Sequence, residues 1–253
     1  MLVRDISVKD ITSVDVKDDV IDALITLFSS RRRMLPVFDR GQFVGTLCIS
    51  SYAKVLREME NRRPETILVG ELTNRNSVIV SPTTEISYVI ERVCEKGCYG
   101  VPVISGHKFE GIIGREDILR TFLHLLRGKF KAIDVMSYYV STSSIHDPIE
   151  TVTKKIITGD ARRIVIMDNK NVEGTVGVKD IANILLAEKA DLATLSVRDI
   201  LVPSKAAVHK NDDAAKIAEI MLEWGVGGVP IVDNGLEGIV RDKDILQRLR
   251  LLM

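Results

Sequence analysis

Cys94 and Cys98, four residues apart, would share one face where a helix ends, a spacing at which two thiols could hold a metal. A structural zinc takes four Cys or His ligands, and no second Cys pair or His pair accompanies these two, so buried or free thiols are expected instead. His107, His124, His146 and His209 are scattered, with no Ser or Cys nucleophile motif beside them. Nothing pairs a nucleophile with a base, and the chain is not expected to be an enzyme. Two runs of cations, Arg31 to Arg33 and Arg162 with Arg163, each follow a helical pattern. Cations at a helix C-terminus complement its dipole, and planar guanidinium groups also suit phosphate, so both roles are open. Asp117, Asp180 and Asp244 each stand where a helical pattern begins, a place where an acid caps the first turn and favours the amide dipole. The GVGG run from Gly225 to Gly228 follows a helix rather than a strand and lacks the Lys of a phosphate loop, so a turn is expected there.

The elements that position these residues belong to a chain of 253 residues with 35 Lys+Arg, 35 Asp+Glu and 45% hydrophobic content, enough for one large domain or two ordinary ones. The charge balance removes the broad attraction on which non-specific nucleic-acid or anionic-membrane binding relies. No apolar run approaches the roughly 20 residues needed to cross a bilayer. The opening MLVRDISVKD places charges where a secretory signal needs an apolar core, and the three cysteines fit a reducing compartment, so a cytoplasmic location is expected.

The chain repeats itself. The segments VGTLCISSYAKVL, EGIIGREDILRTF, EGTVGVKDIANIL and EGIVRDKDILQRL each carry a glycine, then apolar residues, then a helical run. The shared glycines Gly45, Gly111, Gly174 and Gly238 are 66, 63 and 64 residues apart, close to a quarter of the chain. Before each lies a short apolar run, LPVFD at Leu35, VPVIS at Val101, IVIMD at Ile164 and VPIVD at Val229, so each reads as strand, tight turn, strand. Upstream stand helical stripes such as Val20, Leu24, Leu27 and Phe28, or Ile217, Ile220, Met221 and Trp224, opened by Asp18 with Asp19, Ser81 with Pro82, Asp147 with Pro148, and Asn211 with Asp212. A unit is thus strand, helix, strand, strand, helix, over about 8–60, 69–127, 133–190 and 197–253. About 60 residues make a marginal domain alone, so the units are expected to pair, over 1–127 and 128–253.

Each unit resembles the cystathionine beta-synthase (CBS) domain, with its opening phrase (VKDIT at Val8, VGELT at Val69, IDVMS at Ile133, VRDIL at Val197), its hPVhD strand, its Gly-led strand and its closing Asp before the last helix. The resemblance implies a mixed α/β (α+β) fold of four βαββα repeats, two Bateman modules packed into a disc. Four copies with no attached enzyme resemble the gamma subunit of AMP-activated protein kinase and archaeal stand-alone CBS proteins.

What the resemblance implies is an adenine nucleotide (AMP, ADP or ATP) bound as a regulatory ligand between paired repeats, its ribose held by the closing Asp and its phosphate by basic residues. Those acids are Asp117, Asp180 and Asp244, with Ser51 in the first repeat, where a weak or empty site is expected. The phosphate positions, two and three places before the hPV proline, are Arg33 with Met34 and Arg162 with Arg163, and they are Gly228 with Gly227 in the fourth repeat. The third repeat, with Arg162, Arg163, Lys179 and Asp180, ranks first, and the cleft with Arg241, Lys243 and Asp244 second. Ile164 with Val165, Val229 with Pro230, and Ser137 complete the expected lining. Where the family has Thr or Ser three places before the Asp, this chain has Cys48, Gly114, Gly177 and Arg241. The implied function is a non-catalytic energy sensor acting on a partner protein in trans, with homodimerisation open and Ile184 to Ala187 and Ile245 to Leu252 as candidate docking helices. The alternatives are an assembly scaffold with empty clefts, a sensor of an S-adenosylmethionine-type ligand, and a nucleic-acid regulator using Arg31 to Arg33 and Arg248 with Arg250, which the charge balance disfavours.

Overall fold

The four apolar runs before the shared glycines each become the first strand of an antiparallel hairpin in the computed structural model, which describes residues 1–30, 32–51, 54–55, 58, 63, 66–158, 163–181, 196–203 and 208–253. The chain divides into two compact units, Met1–Phe122 with Leu246–Met253, and Leu123–Ile245, so that the helices Arg115–Leu126 and Asp242–Leu249, which close the second and fourth repeats, each cross the division. No helix among the described residues is long and apolar enough to cross a membrane. Arg31, Arg162 and the segment from Ile184 to Ala187 lie outside the described residues.

In the first unit the first repeat supplies β1 (Val14–Asp15), α1 (Val20–Ser29), β2 (Met34–Asp39) and β3 (Gln42–Cys48). The second supplies α2 (Val69–Leu72), α3 (Ile86–Lys96), β4 (Gly100–Ser105), β5 (Lys108–Gly114) and α4 (Arg115–Leu126). Helix α1 starts because the Asp19 carboxylate accepts hydrogen bonds from the amides of Ile21 and Asp22 at 2.7 and 3.4 Å. Its stripe of Val20, Leu24, Leu27 and Phe28 is buried, as the spacing predicts. Fully burying Leu24 and Leu27 stabilises this packing by roughly 1.5–3 kcal/mol each. Helix α3 buries Ile86, Val89, Ile90 and Val93 and stops at Gly97, which takes the left-handed φ of 65° that most side chains resist.

The second unit has the same plan. The third repeat supplies α5 (Ala132–Val135), β6 (Thr142–Ser144), α6 (Ile149–Ile157), β7 (Arg163–Asp168) and β8 (Asn171–Gly177). The fourth supplies α7 (Val197–Ile200), β9 (Val202–Pro203), α8 (Ala214–Trp224), β10 (Gly228–Val232), β11 (Leu236–Arg241) and α9 (Asp242–Leu249). Strands β1 and β6 pair in parallel with β2 and β7, so each hairpin is extended by the strand that opens its own repeat.

Each repeat also lends its opening segment to the other repeat of its unit. Val8 bridges Ile112, Asn74 bridges Thr46, Ser137 bridges Ile239, and β9 pairs with β8 through Val202 and Thr175. The shared glycines lie under these segments: a Cβ on Gly45 would sit 2.5 Å from the Asn74 carbonyl oxygen, and one on Gly111 2.4 Å from that of Val8. Every hairpin slips register at the same place, beside Gly45, Gly111, Gly174 and Gly238, a bulge that lets the strand turn beneath its visitor.

This exchange corrects the expected opening phrases. The first repeat opens at Val3–Asp5, five residues before the expected Val8, and the third at Ala132 rather than Ile133. Each opening turn is closed by an acid at its third position, which accepts from the amide just before the turn: Asp5 from Leu2 at 2.8 Å, Glu71 from Leu68 at 3.0 Å, Asp134 from Lys131 at 2.7 Å and Asp199 from Ser196 at 2.8 Å. VRDIS and VKDIT are alike as strings, but Asp5 closes such a turn whereas Val8 runs extended against β5.

Candidate functional site

The exchange repeats one local arrangement four times, a hairpin's open end, the helix start that follows it and the visiting segment, and each is a candidate crevice. At the open ends Met34 faces Cys48, Gly100 faces Gly114, Arg163 faces Gly177 and Gly228 faces Arg241. Three residues beyond the second member of each pair stand Ser51, Asp117, Asp180 and Asp244. Each acid accepts from the backbone amide three residues earlier: Asp117 from Gly114 at 2.8 Å, Asp180 from Gly177 at 2.8 Å and Asp244 from Arg241 at 3.0 Å. The capping role that the sequence allows is therefore present, and it engages only Oδ2, because Oδ1 has no partner among the described residues. The side chains of Asp117 and Asp180 are 13% and 14% exposed.

Each acid stands near a guanidinium, and each guanidinium comes from a different place. Arg32, in the loop after α1, reaches the second repeat and donates from Nη1 to Asp117 Oδ2 at 2.6 Å, with Glu116 Oε1 at 3.4 Å. Burial opposes the Arg32 charge, but the bonded Asp117 and then Glu116 outweigh it and hold its pKa above the ordinary value. Arg163 lies 3.6 Å from Asp180 and donates to Thr175 Oγ1 at 2.7 Å. Arg241 turns its guanidinium to the Tyr139 carbonyl at 3.1 Å, leaving Asp244 bonded to backbone alone, and burial pushes the Asp244 pKa up.

The expected site residues divide accordingly. Arg163 and Asp180 come together at the third crevice, and Lys179, next to the acid in the chain, is half-buried. Ser137, Gly228, Arg241, Lys243 and Asp244 come together at the fourth, with Ser137 held in the visiting segment by its bridge to Ile239. Ile164, Val165, Val229 and Pro230 are buried within β7 and β10. Arg33 ties its carbonyl to the Ile49 amide at 3.0 Å, and its charge is felt by Glu116. Burial pushes the Cys94 and Cys98 thiols up, which favours their protonated form.

Three residues escape the sequence reading. Arg32 rather than Arg33 meets the acid, and nothing in a run of three arginines marks which one turns inward. Glu116 is 21% exposed, yet its Oε2 is buried without a partner among the described residues, and burial raises its pKa. Arg115 is buried and clamps the end of α3, donating from Nε to the Cys98 carbonyl and from Nη2 to the Gly97 carbonyl, both at 2.8 Å, with its guanidinium 5.2 Å above the Tyr99 ring.

The CBS domain family model matches residues 3–58, 69–124 and 197–251, the first starting at the Val3 turn. The chain belongs to the CBS domain family. The third repeat lies outside those matches, yet it carries the same strand, helix and hairpin at the same spacing. The protein MJ1225 of Methanocaldococcus jannaschii is 22% identical over 94% of this chain and 95% of its own length. The crystal structure of MJ1225, described there as a candidate archaeal homologue of g-AMPK, covers 98% of this chain and 100% of its own at 20% identity, with a TM-score of 0.88. A conserved protein of Pyrococcus horikoshii covers both chains fully at 18% identity and a TM-score of 0.68. At these identities the likeness is one of fold, and it extends over the whole four-repeat CBS chain.

Proposed function

We propose that this CBS protein is a non-catalytic sensor of an adenine nucleotide, AMP, ADP or ATP, which acts on a partner protein. The observation that carries the reading is the threefold recurrence, at Asp117, Asp180 and Asp244, of a half-buried carboxylate with one oxygen pinned by a backbone amide and the other without a partner among the described residues, the first two beside Arg32 and Arg163. A carboxylate accepts the two hydroxyls of a ribose diol through charged hydrogen bonds, and a guanidinium takes phosphate. The third crevice is the best equipped, with Arg163 and Lys179 beside Asp180. Regulation follows if a ligand binds one relative setting of two repeats better than another and the partner prefers that setting.

Calorimetric titration with AMP, ADP, ATP and S-adenosylmethionine tests the reading. Asp180→Ala is expected to weaken nucleotide binding by roughly 1.5–3 kcal/mol, about 10- to 150-fold. The reading fails if no adenosyl ligand binds or raises the melting temperature at millimolar concentration. A second reading, an assembly scaffold with empty crevices, draws support from Asp117, whose Oδ2 is already satisfied by Gly114 and Arg32.

A further inference from the structure

The Asp117 crevice differs from the other two in how its acid is held. Asp117 Oδ2 accepts from Arg32 Nη1 at 2.6 Å and from the Gly114 amide at 2.8 Å, so the oxygen is taken twice. The side chains of Arg32 and Asp117 are 19% and 13% exposed, a setting in which a guanidinium stripped of its counter-ion is poorly compensated by water. Glu116 is no replacement: it stands 3.4 Å from Arg32 against 2.6 Å for Asp117, and its buried Oε2 lacks a partner among the described residues. A diol that takes both Asp117 oxygens must displace Arg32, and the displaced cation must find another anion.

We infer that Arg32 makes the Asp117 crevice selective for ligands that present an anionic group together with a vicinal diol, by holding the carboxylate whenever no such anion is there to receive it. The inference rests on the reading of Asp117 as a diol acceptor. A nucleotide exchanges one ion pair for two interactions, diol on Asp117 and phosphate on Arg32, whereas a nucleoside breaks the pair and replaces only half of it. Asp244 is the internal contrast, because Arg241 is turned to the Tyr139 carbonyl and the carboxylate carries no ion pair to break. Nucleosides therefore enter the Asp244 crevice and are refused at Asp117. Since Arg32 belongs to the first repeat and Asp117 to the second, filling this crevice also releases a contact between the two repeats.

The test is calorimetric titration of the full chain carrying Asp180→Ala and Asp244→Ala, with AMP, with adenosine, and with adenosine in the presence of inorganic phosphate. AMP is expected to bind at least tenfold more tightly than adenosine, and phosphate is expected to raise adenosine affinity about tenfold by receiving Arg32. Adding Arg32→Met is expected to shrink the AMP-to-adenosine ratio at least tenfold and to abolish the phosphate effect. The phosphate arm needs no change at Arg32 and decides the matter even if that variant fails to fold. Adenosine binding that equals AMP binding, or that phosphate leaves unchanged or weakens, overturns the role of Arg32. AMP binding that is indifferent to Asp117→Ala overturns the diol reading itself, which is a separate and distinguishable failure.

Discussion

Glu116 stands in an environment that opposes its charge. Burial is the largest influence on it and raises its pKa, with Arg33 pulling the other way and the neighbouring Asp117 adding to the rise. An acid with a raised pKa binds more protons folded than unfolded, so its ionisation subtracts stability as pH climbs from the ordinary glutamate range through the raised value. Glu116→Gln is therefore expected to gain on the wild type as pH rises above about 4.3 and to lose that advantage below it. Thermal melts from pH 4 to 8 check this, and a stability difference independent of pH would count against it. Asp147 has the opposite sign. Its carboxylate accepts from Ser143 Oγ at 2.6 Å and from the Ser144 amide at 2.9 Å, and the Ser143 bond lowers its pKa most. Its contribution is present above the ordinary aspartate range and fades as pH falls through the lowered value. Asp147→Ala is expected to destabilise by about 1 kcal/mol at pH 7 in urea titration, with the gap closing on acidification.

Among the elements, the hairpins carry the heaviest constraint, because each must accept a foreign segment across its bulge. Gly111 has φ of 147° and only 2.4 Å between its would-be Cβ and the Val8 carbonyl oxygen, so both backbone conformation and space exclude a side chain. Gly111→Ala is expected to destabilise the chain by about 2–4 kcal/mol. Gly97→Ala, where φ is 65° but nothing lies within 4 Å, loses only the conformational part, about 1 kcal/mol. Chemical denaturation of the two variants separates crowding from backbone strain; equal losses would mean that the close approach of the visiting segment matters little.

For the whole molecule, the proposed nucleotide reading together with the fourfold plan limits the number of ligands. Ser51 stands at the first crevice, opposite Met34 and Cys48, so that crevice offers neither carboxylate nor open-end guanidinium. Native mass spectrometry with saturating nucleotide is expected to show no more than three ligands per chain, and a fourth at comparable affinity would refute the need for the acid. Ligand at about 100 times its Kd adds roughly 2.7 kcal/mol per site through mass action. For a chain of this size that is a rise in Tm of about 5–10 °C, measurable by scanning fluorimetry.

Much of this molecule was legible in its sequence. The period of Gly45, Gly111, Gly174 and Gly238 located four hairpins, and helical spacing located the buried stripe of α1 and, in α8, Ile217 and Met221 but not Ile220 or Trp224, which are only half-buried, because periodicity and capping are local properties that neighbours along the chain dictate. Three acids at helix starts were legible for the same reason. Tertiary structure decided the rest. VRDIS could be told from VKDIT only by the turn that Asp5 closes and by the pairing of Val8 with Ile112 on another repeat. Arg32 could be told from Arg33 only by a partner 85 residues away. Composition and spacing report what a segment prefers, whereas an ion pair between distant residues forms only where packing has already removed the water that would screen it.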